Sequence, residues 1–191
     1  MAAGKVLTGF SLPYVGVYAN SGTTVSYTST QQLARGVSVS VSIESADNNK
    51  FYADNKAAES VGGEFKEGTV TLTVDGLLST AEKLIFGLPT ADSAGFINYD
   101  DDQSIPYIGV GFIARYMSDG VTSYVPIVFP KVRFKALNLE AATQEEDIDW
   151  QTQELEADIL RDDSAKHCWK KVGEGLSTET AALAKITGYL A

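Results

Sequence analysis

Alternating apolar and polar residues mark this chain as mainly β. Val37, Val39, Val41 and Ile43 alternate with Ser38, Ser40, Ser42 and Glu44, the period of a strand with one buried face. Two long apolar runs, 107–117 and 121–129, flank Ser118-Asp119-Gly120, a tripeptide suited to a tight antiparallel hairpin. Seventeen glycines, nine tyrosines and many Ser and Thr lean the same way.

The remaining elements follow in order. Residues 51–53 read as a short strand or extended segment, entered through the turn-rich Asp47-Asn48-Asn49. In 69–74, Val70, Leu72 and Val74 share one face. Ser79 with Glu82 three residues on forms a capping-box pattern, and Leu84, Ile85 and Leu88 give the apolar stripe of a short helix. Gly87 is placed to close it in a left-handed conformation, and Pro89 prevents its continuation. Gly109-Val110-Gly111 lies inside a strand, so it reads as close packing or a bulge, not a phosphate cradle. Residues 132–139 and 148–160 form a last strand pair joined by a polar loop. Segment 162–177 reads as a loop-rich connector. A second helix covers 178–187, with Glu179 in its first turn and Ala182, Leu183, Ile186 and Leu190 at helical spacing.

At 191 residues the chain reads as one domain, or one domain with an elaborated end. That length buries roughly 70% of the unfolded surface, enough for a core without staples. Cys168 is the only cysteine, which excludes an internal disulfide and points to a reducing cytosol. Lys5 precedes an apolar stretch, but Gly9, Ser11, Pro13 and Gly16 break it before a signal sequence forms. No run approaches the ~18 apolar residues of a membrane helix.

Charge is concentrated. Residues 140–163 hold ten acids and one base, Arg161, which is −9 of the chain's −10. Ile148, Trp150, Leu155, Ile159 and Leu160 interrupt the run, as expected of a folded strand with one negative face. In 153–160, Leu155, Ala157 and Ile159 read as inward and Glu154, Glu156 and Asp158 as outward. Ile148 and Trp150 share the phase of the acids, which requires a bulge or a second cover. A loop centred near Thr143-Gln144 sets Arg133 opposite Glu154 and Lys131 opposite Glu156, leaving Asp158 unpaired. Such a surface repels nucleic acid, and a nucleic-acid reader carries a basic footprint instead.

Catalytic parts are missing. His167 is the only histidine, so a triad or Cys–His pair has to run through it. Its sequence neighbour Cys168 points elsewhere on most backbones. No second CxxC or HxxxH completes a metal site. Asp100-Asp101-Asp102 lacks the glycine and terminal glutamate of a calcium loop. The expectation is no enzyme, no cofactor and no metal.

One resemblance adds to this reading. The strand 37–43 is followed by Phe51-Tyr52-Ala53-Asp54-Asn55, Gly63 and a Thr-Val-Thr-Leu-Thr strand. Near the end comes Asp147-Ile148-Asp149-Trp150-Gln151-Thr152-Gln153-Glu154-Leu155-Glu156. In order and spacing this resembles the major tail tube proteins of long-tailed bacteriophages, the phi13-type group. The likeness covers most of 33–160 and extends more loosely to Trp169 and the Thr178-Glu179 helix. It implies a β-sandwich or open barrel of antiparallel strands with one flanking α-helix and a short C-terminal helix. A tail-tube domain would span 1–160, with 161–191 packed on it or decorating its outside.

The resemblance also implies a structural subunit of the virion, assembled in the bacterial host cytoplasm. Hexameric rings would stack into a tube that meets tape-measure, tail-tip and tail-terminator proteins. DNA would pass through the lumen without specific binding, and no membrane would be involved. Glu140, Glu145, Glu146, Asp147, Glu154, Glu156 and Asp158 are then the candidate lumen acids. Asp47, Asn48, Asn49, Phe51, Tyr52, Asp54 and Asn55 are the candidate subunit interface. The competing expectation is a monomeric β-sandwich binding module for carbohydrate or protein at a virion or cell surface. Tyr14, Tyr18, Tyr27 and Tyr99 would form its binding face.

Overall fold

The computed structural model describes residues 4–47, 49–53, 56–101, 103–137 and 151–191, with the backbone alone at 49–53 and 56–61. Among the described residues the strands are β1 (Val6–Ser21), β2 (Thr24–Gln32), β3 (Gly36–Ser45), β4 (Asn49–Ala53), β5 (Lys56–Val61), β6 (Phe65–Val74), β7 (Ile108–Ser118), β8 (Val121–Phe134), β9 (Gln153–Leu160) and β10 (Lys171–Val172). Helix α1 (Ser79–Phe86) lies between β6 and β7, and α2 (Glu179–Tyr189) follows β10. The main sheet is antiparallel, in the order β2-β1-β7-β8-β9-β6-β3, with β10 added to β8; β4 and β5 form a separate pair.

The sheet curls into an open barrel. β3, last in the strand order, returns beside β1 without pairing to it, and the Phe10 ring lies directly on the Gly36 backbone, where a Cβ would collide with it. Val70, Leu72 and Val74 of β6 meet Leu155, Ala157 and Ile159 of β9 in the interior, together with Phe129, Val132 and Phe134 of β8. Helix α1 adds Ala81, Ile85 and Phe86 to that cluster. Truncating such a side chain costs about 2–5 kcal/mol.

β7 is buried from Ile108 through Ala114 because both its faces are covered. Val110 and Phe112 face the interior. Ile113 faces outward against Ala182, Ile186 and Leu190 of the C-terminal helical segment. Gly109 and Gly111 lie on that outward face. A Cβ on Gly109 would strike Tyr27 and Leu190, and one on Gly111 would strike Ile186. These glycines let α2 seat on the strand, and a bulge between Ile108 and Val110 adjoins them.

Several expectations hold with changed detail. Asp119 and Gly120, at φ 48° and 78°, make the two-residue turn between β7 and β8. Gly87 closes α1 at φ 62°, and Leu88 donates back to the Lys83 carbonyl. The capping box does not form. Glu82 N–H already bonds the Leu78 carbonyl, so Leu78 is the N-cap and Ser79 lies inside the first turn. The Glu82 carboxylate accepts from the Tyr99 hydroxyl instead, at 3.3 Å. α2 begins with the Thr178 hydroxyl accepting from Ala181 N–H, and it runs to Tyr189, two residues past the expected end.

A further expectation fails. The strand expected at 132–139 is the end of β8, which stops at Phe134. The connector 162–177 is loop-rich as expected, and within it β10 and the Leu176 bridge to Tyr124 extend the line of β9 along β8.

Candidate functional site

The outer face of β3, β6 and β9 is the most regular polar surface described. Inward residues on β6 and β9 are apolar, so alternation turns the intervening residues outward. The register aligns them in three rows: Ser38–Thr73–Glu154, Ser40–Thr71–Glu156 and Ser42–Thr69–Asp158. Arg133 extends the third row onto β8. Ser38 Oγ donates to Thr73 Oγ1 at 2.9 Å. The serines and carboxylates are exposed, the threonines half-buried. The threonines supply β propensity, and the serines keep this face of β3 polar.

The charge of this face corrects the expectation from sequence. Arg133 lies opposite Asp158, not Glu154, and Lys131 lies opposite Leu160, not Glu156. β9 therefore pairs with β8 four residues further along than assumed. The resulting shift of four is even, so every side chain keeps its face and the apolar pattern cannot reveal it. Asp158 is not unpaired: Lys135 Nζ reaches it at 3.4 Å and also binds Glu156. The Glu156 carboxylate, then Asp158, hold the Lys135 ammonium above its ordinary pKa. Three carboxylates against Arg133 and Lys135 leave one net negative charge on the three rows. Glu140, Glu145, Glu146 and Asp147, along with Ile148 and Trp150, lie outside the described residues.

The candidate interface segment is a hairpin, where sequence suggested one short strand. Asn49 pairs with Val61, Phe51 with Glu59 and Tyr52 with Ala57. Its base is tied by Ala46 N–H to the Glu64 carbonyl at 2.8 Å and Gly63 N–H to the Ala46 carbonyl at 3.2 Å. Asp47 is exposed where the ribbon leaves β3. Asn48, Asp54 and Asn55 lie outside the described residues. The ribbon joins β3 to β6 and adds nothing to the main sheet.

The aromatic binding face does not form. Tyr18 and Tyr27 are 8% and 6% exposed and pack in the outer cluster. Burial pushes both hydroxyls up, Tyr18 to about 12. Tyr27 donates to the Pro130 carbonyl at 2.9 Å. Tyr14 is half-buried, and of the four only Tyr99 is exposed.

A polar latch around Tyr18 escaped sequence reasoning. Its hydroxyl donates to Asp163 Oδ2 at 2.8 Å and accepts from Asp163 N–H at 2.9 Å. Lys131, its side chain 13% exposed, meets the same carboxylate at 2.8 Å and lies over the Tyr18 and Tyr107 rings. The neighbouring Asp162 is 3% exposed, and its Oδ1 accepts from Ser164 N–H, Ser164 Oγ and Cys168 N–H. This carboxylate folds the 162–168 turn, in which His167 takes φ 48°. His167 is exposed, with Nδ1 3.3 Å from the Asp162 carbonyl. Cys168 Sγ, half-buried, addresses the Lys170 carbonyl instead. The residue pairs are separated by 145 and 32 positions, so no local pattern announces them. Among the described residues no cluster of three or more His, Cys, Asp or Glu is placed to hold a metal. No protein-family model and no curated protein matches this chain.

Proposed function

We propose that this chain is a structural subunit of a phage tail tube, forming stacked hexameric rings whose lumen passes viral DNA. The observation that carries the reading is the ordered face of β3, β6 and β9. It offers hydroxyls and carboxylates in rows, with Lys135 held between Glu156 and Asp158 and Arg133 in register with Asp158. A wall of that kind gives DNA little to hold, because it supplies few free cations to replace phosphate counterions. Glu154, Glu156 and Asp158 line it.

Two further features support assembly. The sheet ends in β2 and β3, whose outer edges have no partner strand among the described residues. Such edges join readily to other chains. The β4–β5 ribbon, with Asp47 at its base, is free to reach a neighbouring subunit or ring. The subunit does its work without a catalytic step or a cofactor, in the virion, after assembly in the host cytoplasm on tape-measure, tail-tip and tail-terminator proteins.

Negative-stain electron microscopy of the purified protein across a concentration series tests the reading. Hollow tubes or six-fold rings are expected. Compact monomers at every concentration, even with a tape-measure fragment added, would overturn it. A reconstruction that puts Glu154, Glu156 and Asp158 on the outer wall would sink the lumen assignment alone.

A further inference from the structure

Among the described residues, the acidic chain carries a basic groove. Arg161, Lys166, Lys170 and Lys171 line it with His167 and Trp169. None of these four cations has a carboxylate within salt-bridge distance among the described residues, whereas Arg35, Lys66, Lys131 and Lys135 each do. Arg161, Lys170 and Lys171 rest on aromatic and carbonyl groups instead. Arg161 donates to the Phe65 carbonyl at 2.8 Å, and Lys171 lies 4.3 Å from the Tyr189 ring centre. Trp169 stacks on Phe65 with ring centres 4.6 Å apart. The groove floor is therefore fixed while its positive charge stays available.

A second surface has the opposite character. Between α1 and β7 the described residues form no helix or strand, and Phe96 and Tyr99 stand 69% and 60% exposed there. The segment is folded. Asp92 N–H bonds the Phe96 carbonyl at 2.8 Å, and Asp92 Oδ1 accepts from Ala94 N–H and Phe96 N–H, each at 2.9 Å. Gln103 ties it to α1 through the Phe86 carbonyl. An exposed aromatic ring on a preorganised turn is an anchor in waiting, since little further order is lost when it docks. Asp100 and Asp101 follow it, both exposed.

We infer that the Phe96–Asp101 turn of one copy docks in the Arg161–Lys171 groove of a second copy. The charges are complementary, and both surfaces are aromatic at their centres. Two different patches meet, so the contact is head-to-tail and propagates from copy to copy. The inference rests on the tube reading and names one of its contacts.

Charge reversal tests it. Lys170→Glu with Lys171→Glu should raise the concentration needed for assembly about tenfold or more, as should Asp100→Lys with Asp101→Lys. A chain carrying all four substitutions should recover most of the loss. Phe96→Ser should weaken assembly with the charges intact, and circular dichroism confirms that each variant is folded. The contact is refuted if either reversed pair assembles like the wild type, or if the fourfold variant is no better than the pairs. Failure of the wild type to assemble would instead overturn the tube reading, and this contact with it.

Discussion

At the scale of single residues, Gly111 shows how little room the barrel leaves. Gly111 has Ile186 where its Cβ would be. Gly111→Ala should cost about 1–3 kcal/mol, because α2 must lift from β7. Urea unfolding reads this as a lower midpoint, and an unchanged midpoint would contradict the packing described. Asp163 gives a pH signature. The hydrogen bond from Lys131, then that from Tyr18, hold its carboxyl below the ordinary aspartate range. A depressed folded-state pKa stabilises above the unfolded value, and the contribution is lost as pH falls through the folded one. The stability gap between wild type and Asp163→Asn should therefore be full near neutral pH and shrink as pH falls below about 4. A gap that stays constant across that range would mean the latch contributes nothing.

At the scale of elements, the β4–β5 ribbon is the clearest experiment. Replacing 47–63 by a two-residue Asn-Gly turn should leave a folded monomer, because the ribbon pairs only with itself. That monomer should form no tubes in the microscope; normal tubes would remove the ribbon from the interface. The ribbon also marks the limit of what sequence reveals. β3, β6, β9 and both helices were legible because their apolar residues keep one period throughout. β1 and β2 were not read as strands. β1 slips register between Leu7 and Gly9 and again between Ser11 and Tyr14, with Leu12 at φ 50°. Ser29, at φ 56°, interrupts β2. Each slip reverses the face, so no alternation survives long enough to be seen. The rows of the candidate site were half legible. Their side chains and faces follow from alternation, but their neighbours depend on register, which loop length decides. The Tyr18–Asp163–Lys131 latch joins three distant segments, and sequence patterns carry no trace of it.

At the scale of the whole molecule, the proposed lumen makes a prediction about transport. Glu154→Lys with Glu156→Lys should permit tube assembly yet slow DNA release, as basic walls replace phosphate counterions. Dye-monitored ejection in vitro should show the delay most strongly at low salt; equal rates at all salt concentrations would place this face elsewhere. The seating of α2 and β10 on β7 and β8 has a further consequence, for the order of synthesis. The ribosome makes β7 and β8 well before residues 171–190, which cover Gly109, Gly111 and the far edge of β8. A growing chain thus holds an uncovered strand face and an open edge until its last helix emerges, and both invite mispairing. Translation that stalls between Leu160 and Lys171 should leave a product that aggregates, and the chain should become soluble only as Leu190 closes over β7.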